Sequence, residues 1–337
     1  MLDEAYKRKK YFLILIPIII FIVSIILGRY PMSLSDIGDV LGNKLLDLNK
    51  PVDEGLETVI FQVRLPRITA AFLVGGALAA SGAAYQGMFR NPLISPDILG
   101  ASAGASFGAC IGILFSWSIA AIQLSAFIFG LISVFITYVI SKSIRGRDAT
   151  LMLVLTGILV GTVFSSLVSL TKFVADPYGK LPEITFWLMG SLAAVKDTDV
   201  YMLLPCFIIG IVPLYLLRWK LNVLSFGEEA QAMGVNVNRL RMIVIICATL
   251  MTSSCIAISG LIGWIGLVIP HLARAVAGPD YKKLLPYAVV TGGTFLLIID
   301  DIARCASSLE VPLGILTSIM GAPFFIYLLM YSRRGWN

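Results

Sequence analysis

Apolar blocks long enough to cross a lipid bilayer recur along this chain from Tyr11 to its end. A membrane-spanning helix needs roughly 20 mostly apolar residues, because its backbone groups must be satisfied within the segment. Apolar residues fill 58% of the 337 positions and charged residues only 14%, whereas soluble domains contain about 25% charged residues. The sequence therefore predicts an all-α, polytopic membrane protein.

The blocks predict about ten transmembrane helices in one domain that covers the whole chain. Each block is bounded by charged, proline-rich or glycine-rich residues, which mark where one span ends and the next begins. The predicted spans are approximately residues 11–28, 65–89, 98–116, 120–140, 151–173, 200–217, 242–259, 261–276, 284–306 and 312–331.

Two connecting segments are predicted to carry short helices of their own. After the first span, Ser35 can cap a helix whose apolar residues recur at helical spacing, as in a segment that lies on the bilayer surface. After the fifth span, the apolar stretch FWLMGSL is too short to cross the membrane. It predicts an interfacial or re-entrant helix anchored by Phe186 and Trp187.

Lysine and arginine cluster beside the apolar blocks and do not follow one basic face. The run KRKK at residues 7–10 precedes the first span, and Arg333 and Arg334 follow the last. Because such residues collect in cytoplasmic loops, these clusters predict that both termini are cytoplasmic. The net charge of +6 is therefore assigned to membrane orientation, and no nucleic-acid partner is expected.

Span three contains a glycine at every fourth position. This spacing places the glycines along one helix face, where another backbone can approach closely, as in GxxxG packing. Packing against a neighbouring helix is favoured over a ligand site at these positions. The glycines are Gly100, Gly104, Gly108 and Gly112.

The sequence offers little for a metal site. His271 is the single histidine of the chain. No Asp, Glu or Cys accompanies it at ligand spacing, so a packing or hydrogen-bonding role is favoured. The five cysteines lie in apolar segments without CxxC spacing, which indicates neither a disulfide framework nor a zinc site.

Asp300 and Arg304 are charged residues within span nine, and charges near membrane depth are costly. They lie four residues apart and can pair along one helix face. The alternatives at this point are a structural salt bridge near the helix end and a functional contact.

The polar segment of residues 218–241, called the coupling segment below, separates spans six and seven. It carries Arg218, Lys220, Arg239 and Arg241 near its ends, which place it on the cytoplasmic side. Inside it, the string GEEAQAMG predicts one or two short helical turns between two glycines. Spacing alone leaves two interpretations open, a solvated loop and a docking element for a partner.

The string SFGEEAQAMG in this segment resembles the coupling segment of ABC importer permeases of the ferric-siderophore, haem and cobalamin group. Similar strings, among them QVRLPR, ASGAAYQGMFRNPLISPDILGASAGA and GLIGWIGLVIPHLAR, extend from about residue 62 to the C-terminus. The resemblance implies the type II importer permease architecture in a bacterial or archaeal cytoplasmic membrane. It also implies docking on an ATP-hydrolysing subunit through Gly227, Glu228, Glu229, Ala230, Met233 and Gly234.

The same resemblance implies residues for two further tasks. Arginines at the outer mouth of the family contact acidic residues of an extracytoplasmic substrate-binding protein, and Arg64, Arg67 and Arg304 match those positions. Asp301 is an additional acid beside that pattern. The inner gate of the family lies at the turn after span two and at the start of span five, which correspond here to Asn91, Leu93, Ala149 and Thr150.

No stretch of the chain matches GxxxxGK followed by Ser or Thr, so the chain has no phosphate-binding loop. The resemblance accordingly implies that the chain is not an enzyme and holds no cofactor. ATP and magnesium would bind two separate ATP-binding cassette subunits. A second permease subunit, identical or a close paralogue, would complete the path.

The implied cargo is a metal chelate, with a ferric siderophore first and cobalamin, haem and oxyanions left open. An ion-coupled secondary transporter is the alternative of a different class. That class needs acidic residues at mid-membrane, and the nearest candidates are Asp300 and Asp301.

Overall fold

The computed structural model describes residues 2–28, 30–46, 53–144, 148–224, 226–227, 229–307 and 309–331. Within these ranges the chain forms helices joined by turns, and no strand is present. This confirms the prediction of an all-α membrane protein. Six helices are long and apolar enough to cross a membrane by length and composition, and four more apolar helices are shorter. Each predicted span overlaps one of these helices.

The chain contains long bundle helices and several short connecting helices. The α-helices are α1 Leu2–Ile26, α2 Leu34–Leu46, α3 Glu54–Thr58, α4 Leu65–Phe89, α5 Ala101–Leu114, α6 Ile119–Ser143, α7 Ala149–Val174, α8 Lys180–Met189, α9 Asp197–Leu216, α10 Arg218–Leu224, α11 Glu229–Ala232, α12 Val237–Ser259, α13 Ile265–Ala277, α14 Tyr281–Cys305 and α15 Leu313–Tyr331. A π-helical stretch, Val59–Arg64, joins α3 to α4, and a 3-10 turn, Pro96–Leu99, precedes α5.

The central helix of the bundle is α4, in which nearly every side chain is buried. Its many alanines and glycines let neighbouring backbones approach closely. Gly75 lies against Gly292 of α14, and a Cβ on Gly75 would come within 2.8 Å of the Gly292 carbonyl carbon. Gly82 lies against Gly266 of α13 in the same way. Small residues therefore pack this helix as they were predicted to pack span three.

Helices α12 and α14 both run antiparallel to α4. The Cys255 thiol faces the carbonyl of Val74 at 3.9 Å, whereas Ser81 donates to the carbonyl of Ala248 over 3.4 Å. Residue numbers therefore increase along α4 in the direction in which they decrease along α12. Two ends of the bundle are named by residues below: the coupling end carries Arg90 and Gly227, and the arginine end carries Arg67 and Asp300.

The cap of α2 differs from the expectation. Ser33 caps this helix in place of Ser35: Asp36 N donates to Ser33 Oγ over 3.1 Å, and Ser33 N donates to Asp36 Oδ2 over 2.8 Å. This reciprocal pair is a capping box, and it puts Ser35 inside the first turn. Ile37 and Val40 are buried in one cluster with Met32 and Ile60. The apolar face of α2 therefore packs on the chain itself.

Helix α8 is the short helix expected around FWLMGSL, and it does not cross the bundle. Ile184 is fully buried, while Phe186 is exposed. Gly190 ends the helix with a φ of +75°, and its carbonyl accepts the N–H of Leu313 over 2.9 Å. Ser191 N donates to Ser259 O over 2.8 Å. These bonds fix α8 to the end of α12 and the beginning of α15.

Candidate functional site

A cavity of about 700 Å³ lies between α5 and α7, from the turn before α5 to the loop before α13. Small and hydroxyl-bearing residues form much of its lining. Hydroxyl groups both donate and accept hydrogen bonds, so the lining can receive a polar molecule within an apolar bundle. These residues are Ser95, Gly100, Ser102, Ala103, Ser106, Gly157, Gly161, Thr162, Ser165 and Gly263.

Asp97 is the one ionisable side chain among the described residues that line this cavity. Its Oδ1 accepts a hydrogen bond from Ser102 Oγ in the first turn of α5. A charge within a membrane bundle marks a functional position by default, because it is costly to keep there. Sequence analysis did not single out Asp97, although the family-like string RNPLISPDILG contains it.

The glycine face of α5 packs against α6. A Cβ on Gly104 would lie 2.5 Å from Ser133 Cβ, and one on Gly108 would lie 2.5 Å from Ser125 O. Ser125 Oγ donates to Gly108 O over 2.8 Å, and Ser133 Oγ donates to Gly100 O over 2.6 Å. Hydrogen bonds thus accompany the close backbone approach, and other residues of α5 remain to line the cavity.

Gly100 and Gly112 differ in their roles. Gly100 precedes α5 with a φ of +86° and ends the 3-10 turn, so it is not on the helix where the spacing places it. A left-handed backbone favours glycine because a Cβ would be strained there. Gly112 does belong to α5, and a Cβ there would lie 2.9 Å from Ile122 Cγ1 of α6. Three of the predicted glycines therefore share the helix face.

Arg64 caps the end of α1. Its Nη1 donates to the carbonyls of Ile25 and Ile26, the latter over 2.9 Å, and its Nη2 donates to Tyr30 O over 2.5 Å. The last carbonyls of a helix lack partners within the helix, and a cation there also interacts favourably with the helix dipole. Arg64 therefore stabilises the turn that follows α1.

Arg67 joins α4 to α14 and to the loop before α15. Its Nη2 lies 2.8 Å from Asp300 Oδ1 and 2.8 Å from Glu310 Oε2. Its Nη1 donates to Glu310 Oε1 over 3.0 Å. Only arginine offers enough donors in a fixed fork for two carboxylates at once.

Arg304 is the third cation at the arginine end. Its Nη2 pairs with Asp301 Oδ1, and its Nε lies 3.2 Å from Asp300 Oδ2 without the alignment of a hydrogen bond. It also donates to Leu27 O and to Ser24 O in the last turn of α1, each over 3.3 Å. Asp300 and Arg304 therefore form the i,i+4 pair that the spacing predicts, within a larger network.

The three arginines lie deeper than a docking surface requires. Arg64, Arg67 and Arg304 are only 3%, 6% and 6% exposed. Asp300, Asp301 and Glu310 compensate the buried guanidinium groups of Arg67 and Arg304, whereas Arg64 donates to backbone carbonyls. A cavity of about 240 Å³ borders the arginines. Docking through the three arginines stays a prediction, and for Arg67 and Arg304 it requires an exchange of ion-pair partners.

The predicted gate residues lie near the coupling end. Asn91 and Leu93 occupy the turn after α4, where Asn91 Oδ1 accepts the N–H of Leu93 over 2.9 Å. Leu93 is 52% exposed. Ala149 and Thr150 form the first turn of α7, which Asp148 caps by accepting the N–H of Thr150 over 2.7 Å. Their role as a gate stays a prediction.

The coupling segment forms two short helices, α10 and α11. Glu228 lies outside the described residues. Gly227 and Gly234 flank α11 with φ angles of +71° and +79°, as expected for glycines that end a helical turn. Ala230 is fully buried, whereas Glu229 and Met233 are exposed. One face of α11 is therefore anchored and the opposite side is open to a partner.

Arg90 brings the coupling segment next to the predicted gate turn. It ends α4 in the left-handed conformation, with a φ of 52°. A Cβ on Gly227 would lie 2.5 Å from Arg90 Nη1, so the guanidinium lies directly beside Gly227. Sequence analysis missed this contact, because nothing in the local pattern relates positions so far apart.

The described residues contain no group of three side chains of His, Cys, Asp or Glu that could hold a metal ion. His271 has its Nδ1 2.9 Å from Leu267 O, one turn earlier in α13, and its ring centroid lies 6.1 Å from that of Phe325. The described cysteines are free. These contacts agree with a packing role for His271.

The sequence matches the model of the FecCD transport family over residues 15–331. The molybdate import system permease protein MolB of Haemophilus influenzae is 39% identical over 336 residues, which cover 99% of each protein. The Fe(3+)-citrate import system permease protein YfmE of Bacillus subtilis is 36% identical over 335 residues, 97% of each protein.

A solved structure described as an inward-facing metal-chelate-type ABC transporter has the same fold. Its TM-score to this chain is 0.85 at 38% sequence identity, and the match covers 95% of this chain and 98% of that one. Family match, sequence identity and fold thus agree over nearly the whole length. The chain belongs to the FecCD transport family, as a multi-pass membrane permease of an ABC importer.

Proposed function

We propose that the cavity between α5 and α7 is one half of an import path for a metal chelate, with a ferric siderophore or similar ferric chelate first. The observation that carries this is the cavity itself, with its volume of about 700 Å³ and a largely apolar lining that includes five hydroxyl-bearing residues. Pockets of about 300–1,000 Å³ hold molecules of drug size. A chelate is of that size, and its polar groups can exchange hydrogen bonds with the lining.

A second permease subunit, either identical or a close paralogue, completes the path. The exposed face of α7 supports this step: Leu155, Leu159 and Val163 are 44–67% exposed. Ile158 belongs to both this face and the lining of the cavity. A partner subunit that packs on α7 would therefore close the open side of the cavity and also cover the exposed apolar face of α7.

Two ATP-binding cassette subunits drive the transport from the cytoplasm, where both termini also lie. The exposed Glu229 and Met233 of α11 offer them a docking surface on an anchored helical turn. Glu228 and the flanking Gly227, Ala230 and Gly234 complete the proposed docking set. The chain lacks a phosphate-binding loop of its own, so ATP and magnesium bind to these subunits, and this chain needs no cofactor.

An extracytoplasmic substrate-binding protein delivers the cargo at the arginine end. The side chain of Glu310 retains 26% exposure, against 7% for Arg67, so Glu310 is the more accessible member of that pair. A carboxylate from the binding protein can replace Glu310 on the Arg67 fork. When a docking carboxylate takes the place of Glu310, every buried charge keeps a partner. Removal of Glu310 without a replacement would leave buried charge uncompensated.

Cargoes other than a ferric chelate remain as alternatives. Similarity to the MolB protein over 99% of the chain favours molybdate as the second candidate, and cobalamin and haem follow. The cavity volume of about 700 Å³ favours a chelate over a free oxyanion, which is much smaller than the cavity. An ion-coupled secondary transporter is disfavoured, since Asp300 and Asp301 are both engaged by arginines.

Uptake into proteoliposomes tests the cargo. The complex is reconstituted with its ATPase subunits and binding protein, and radioactive ferric citrate, a ferric hydroxamate and molybdate are supplied in parallel. We expect a ferric chelate to accumulate and molybdate not to accumulate. An ATPase subunit that lacks its phosphate-binding lysine is the matched control. Accumulation of molybdate alone would overturn the chelate assignment while leaving the importer function in place.

A further inference from the structure

The coupling segment is tied to the beginning of α14 by one side chain, Asn222 of α10. Its Nδ2 donates to Asp280 Oδ1 over 2.6 Å, and its Oδ1 accepts the backbone N–H of Tyr281 over 2.8 Å. Asp280 also caps α14 by accepting the N–H of Lys282 over 3.0 Å. Asn222 uses its amide as both donor and acceptor, so a slight displacement of α10 acts directly on the first turn of α14.

Tyr281 carries the connection from α14 to the central helix. Its side chain is 4% exposed, and its hydroxyl donates to Ala83 O of α4 over 2.8 Å. The ring lies directly over Gly87, where a Cβ would come within 2.7 Å of Tyr281 Cζ. The hydroxyl thus reaches the α4 backbone at a point where glycine leaves room for it. Burial keeps water from competing for the bond.

The last turns of α4 lead directly to the predicted gate and to the cavity. Phe89 ends the helix, Arg90 turns the chain, and the turn with Asn91 and Leu93 follows. The lining of the cavity begins at Ser95. A displacement of α4 near Ala83 therefore reaches the gate turn within two helical turns. Arg90 over Gly227 makes a second, direct contact between the coupling segment and the same turn.

We propose that Asn222, Asp280 and Tyr281 form a mechanical relay that transmits movement of the coupling segment to the gate turn after α4. This inference rests on the proposed function, since it assumes that an ATPase subunit moves the coupling segment. The three residues are positioning residues, and they contact neither cargo nor nucleotide. The relay works because its hydrogen bonds are directional and join α10, α14 and α4 through neighbouring side chains, of which Tyr281 is buried and Asn222 and Asp280 are half-buried.

Three variants test the relay in the full complex, reconstituted in proteoliposomes with its ATPase subunits and binding protein. Tyr281→Phe removes the hydroxyl that bonds to Ala83 O and that also contacts Arg274. Asn222→Asp places a carboxylate opposite the Asp280 carboxylate, and the pair N222D/D280N restores a donor opposite an acceptor. Tyr85→Phe is the matched control, because it removes another buried hydroxyl of α4, which pairs with Thr249 over 3.2 Å.

The measured quantity is the cargo transported per ATP hydrolysed, with radioactive ferric citrate as the probe. We expect Tyr281→Phe to lower this ratio about fivefold, the usual effect of one neutral hydrogen bond on an equilibrium. N222D should lower the ratio further, because it replaces a charge-assisted hydrogen bond by two like charges. Basal ATP hydrolysis and assembly with the ATPase subunits should persist. N222D/D280N should recover part of the ratio, and Tyr85→Phe should leave it unchanged. A purely structural role of the relay residues would lower the thermal stability of Tyr281→Phe and N222D without changing the ratio.

The outcomes distinguish failure of the proposed function from failure of the relay. A complex with the parent chain that shows no ATP-dependent uptake of any supplied cargo overturns the proposed function and the relay together. Normal coupling in the parent complex and equal coupling in Tyr281→Phe overturns the relay alone. If N222D fails to assemble, Tyr281→Phe still tests the relay, because it removes one oxygen atom and leaves the ring packed over Gly87.

Discussion

Arg67 and Asp300 form a two-pronged ion pair across α4 and α14. The Nε of Arg67 lies 3.0 Å from both carboxylate oxygens of Asp300, and its Nη2 lies 2.8 Å from Oδ1. The Asp300 side chain has no exposed surface, so its negative charge depends on this partner and on the nearby Arg304. The pair thereby fixes the arginine ends of two antiparallel helices to one another.

Removal of the Arg67 fork should destabilise the protein strongly. Arg67→Ala leaves Asp300 and Glu310 without their common partner, and loss of one member of a buried pair typically costs about 3–5 kcal/mol. We expect a large fall in the thermal unfolding temperature of the purified permease in detergent. Lys180→Ala breaks an exposed pair with Glu183 and should cost under about 1 kcal/mol. Equal effects of the two changes would refute a structural role for the network.

If a docking carboxylate replaces Glu310 on Arg67, loss of the Glu310 charge should strengthen the binding of the substrate-binding protein. Glu310→Gln weakens the internal competitor of a docking carboxylate, so the binding protein should associate more tightly with the reconstituted complex. The affinity should also fall with added salt, because charges are screened beyond about 8 Å at physiological ionic strength. Association is measured with the purified binding protein across a salt series. Weaker binding to E310Q would show that Glu310 itself contributes to docking.

Local patterns in the sequence were enough to predict most of the bundle. Apolar runs locate the long helices, and the glycine spacing of α5 predicts a packed face because both depend on neighbouring residues. Helix ends were less predictable. Ser33 caps α2 in place of Ser35, because the hydrogen bonds between Ser33 and Asp36 fix where the helix begins. The left-handed conformation of Gly100 likewise shortens α5.

The candidate site was less accessible from the sequence. The ion pair of Arg67 and Asp300 joins residues 233 positions apart, and no local pattern relates them. Asp97 lines a cavity that exists only once α5 and α7 pack together. The resemblance correctly identified the family, but the burial of Arg67 and Arg304 depends on acids contributed by α14 and by the loop after it.

The glycine face of α5 gives a test of helix packing. Gly104→Ala brings a methyl group against Ser133 Cβ and the backbone of α6, and overpacking of this kind costs about 1–3 kcal/mol. Gly161→Ala is the matched control, because its Cβ would lie 3.6 Å from Gly100 Cα, an ordinary contact distance. Thermal unfolding in detergent should be lowered only for Gly104→Ala. Unchanged stability of G104A would mean that α5 and α6 are not packed as described.

Asp280 gives a pH dependence with a defined sign. Hydrogen bonds from the backbone N–H of Lys282 and then from Asn222 lower the pKa of Asp280 below its ordinary value. A depressed folded pKa contributes stability that is present above the unfolded value of about 4 and is lost as the pH falls through the folded value. Asp280→Asn should therefore unfold at a lower temperature than the parent at about pH 7, and the difference should shrink as the pH falls below about 4. A pH-independent difference would contradict this account.

The source of energy for uptake tests the central claim most directly. Proteoliposomes that contain the permease, its ATPase subunits and its binding protein are given either internal ATP or an imposed proton or sodium gradient. We predict that cargo accumulates with ATP alone and that neither gradient drives uptake without ATP. Accumulation driven by a gradient in the absence of ATP would contradict the account and would identify the chain as part of an ion-coupled transporter.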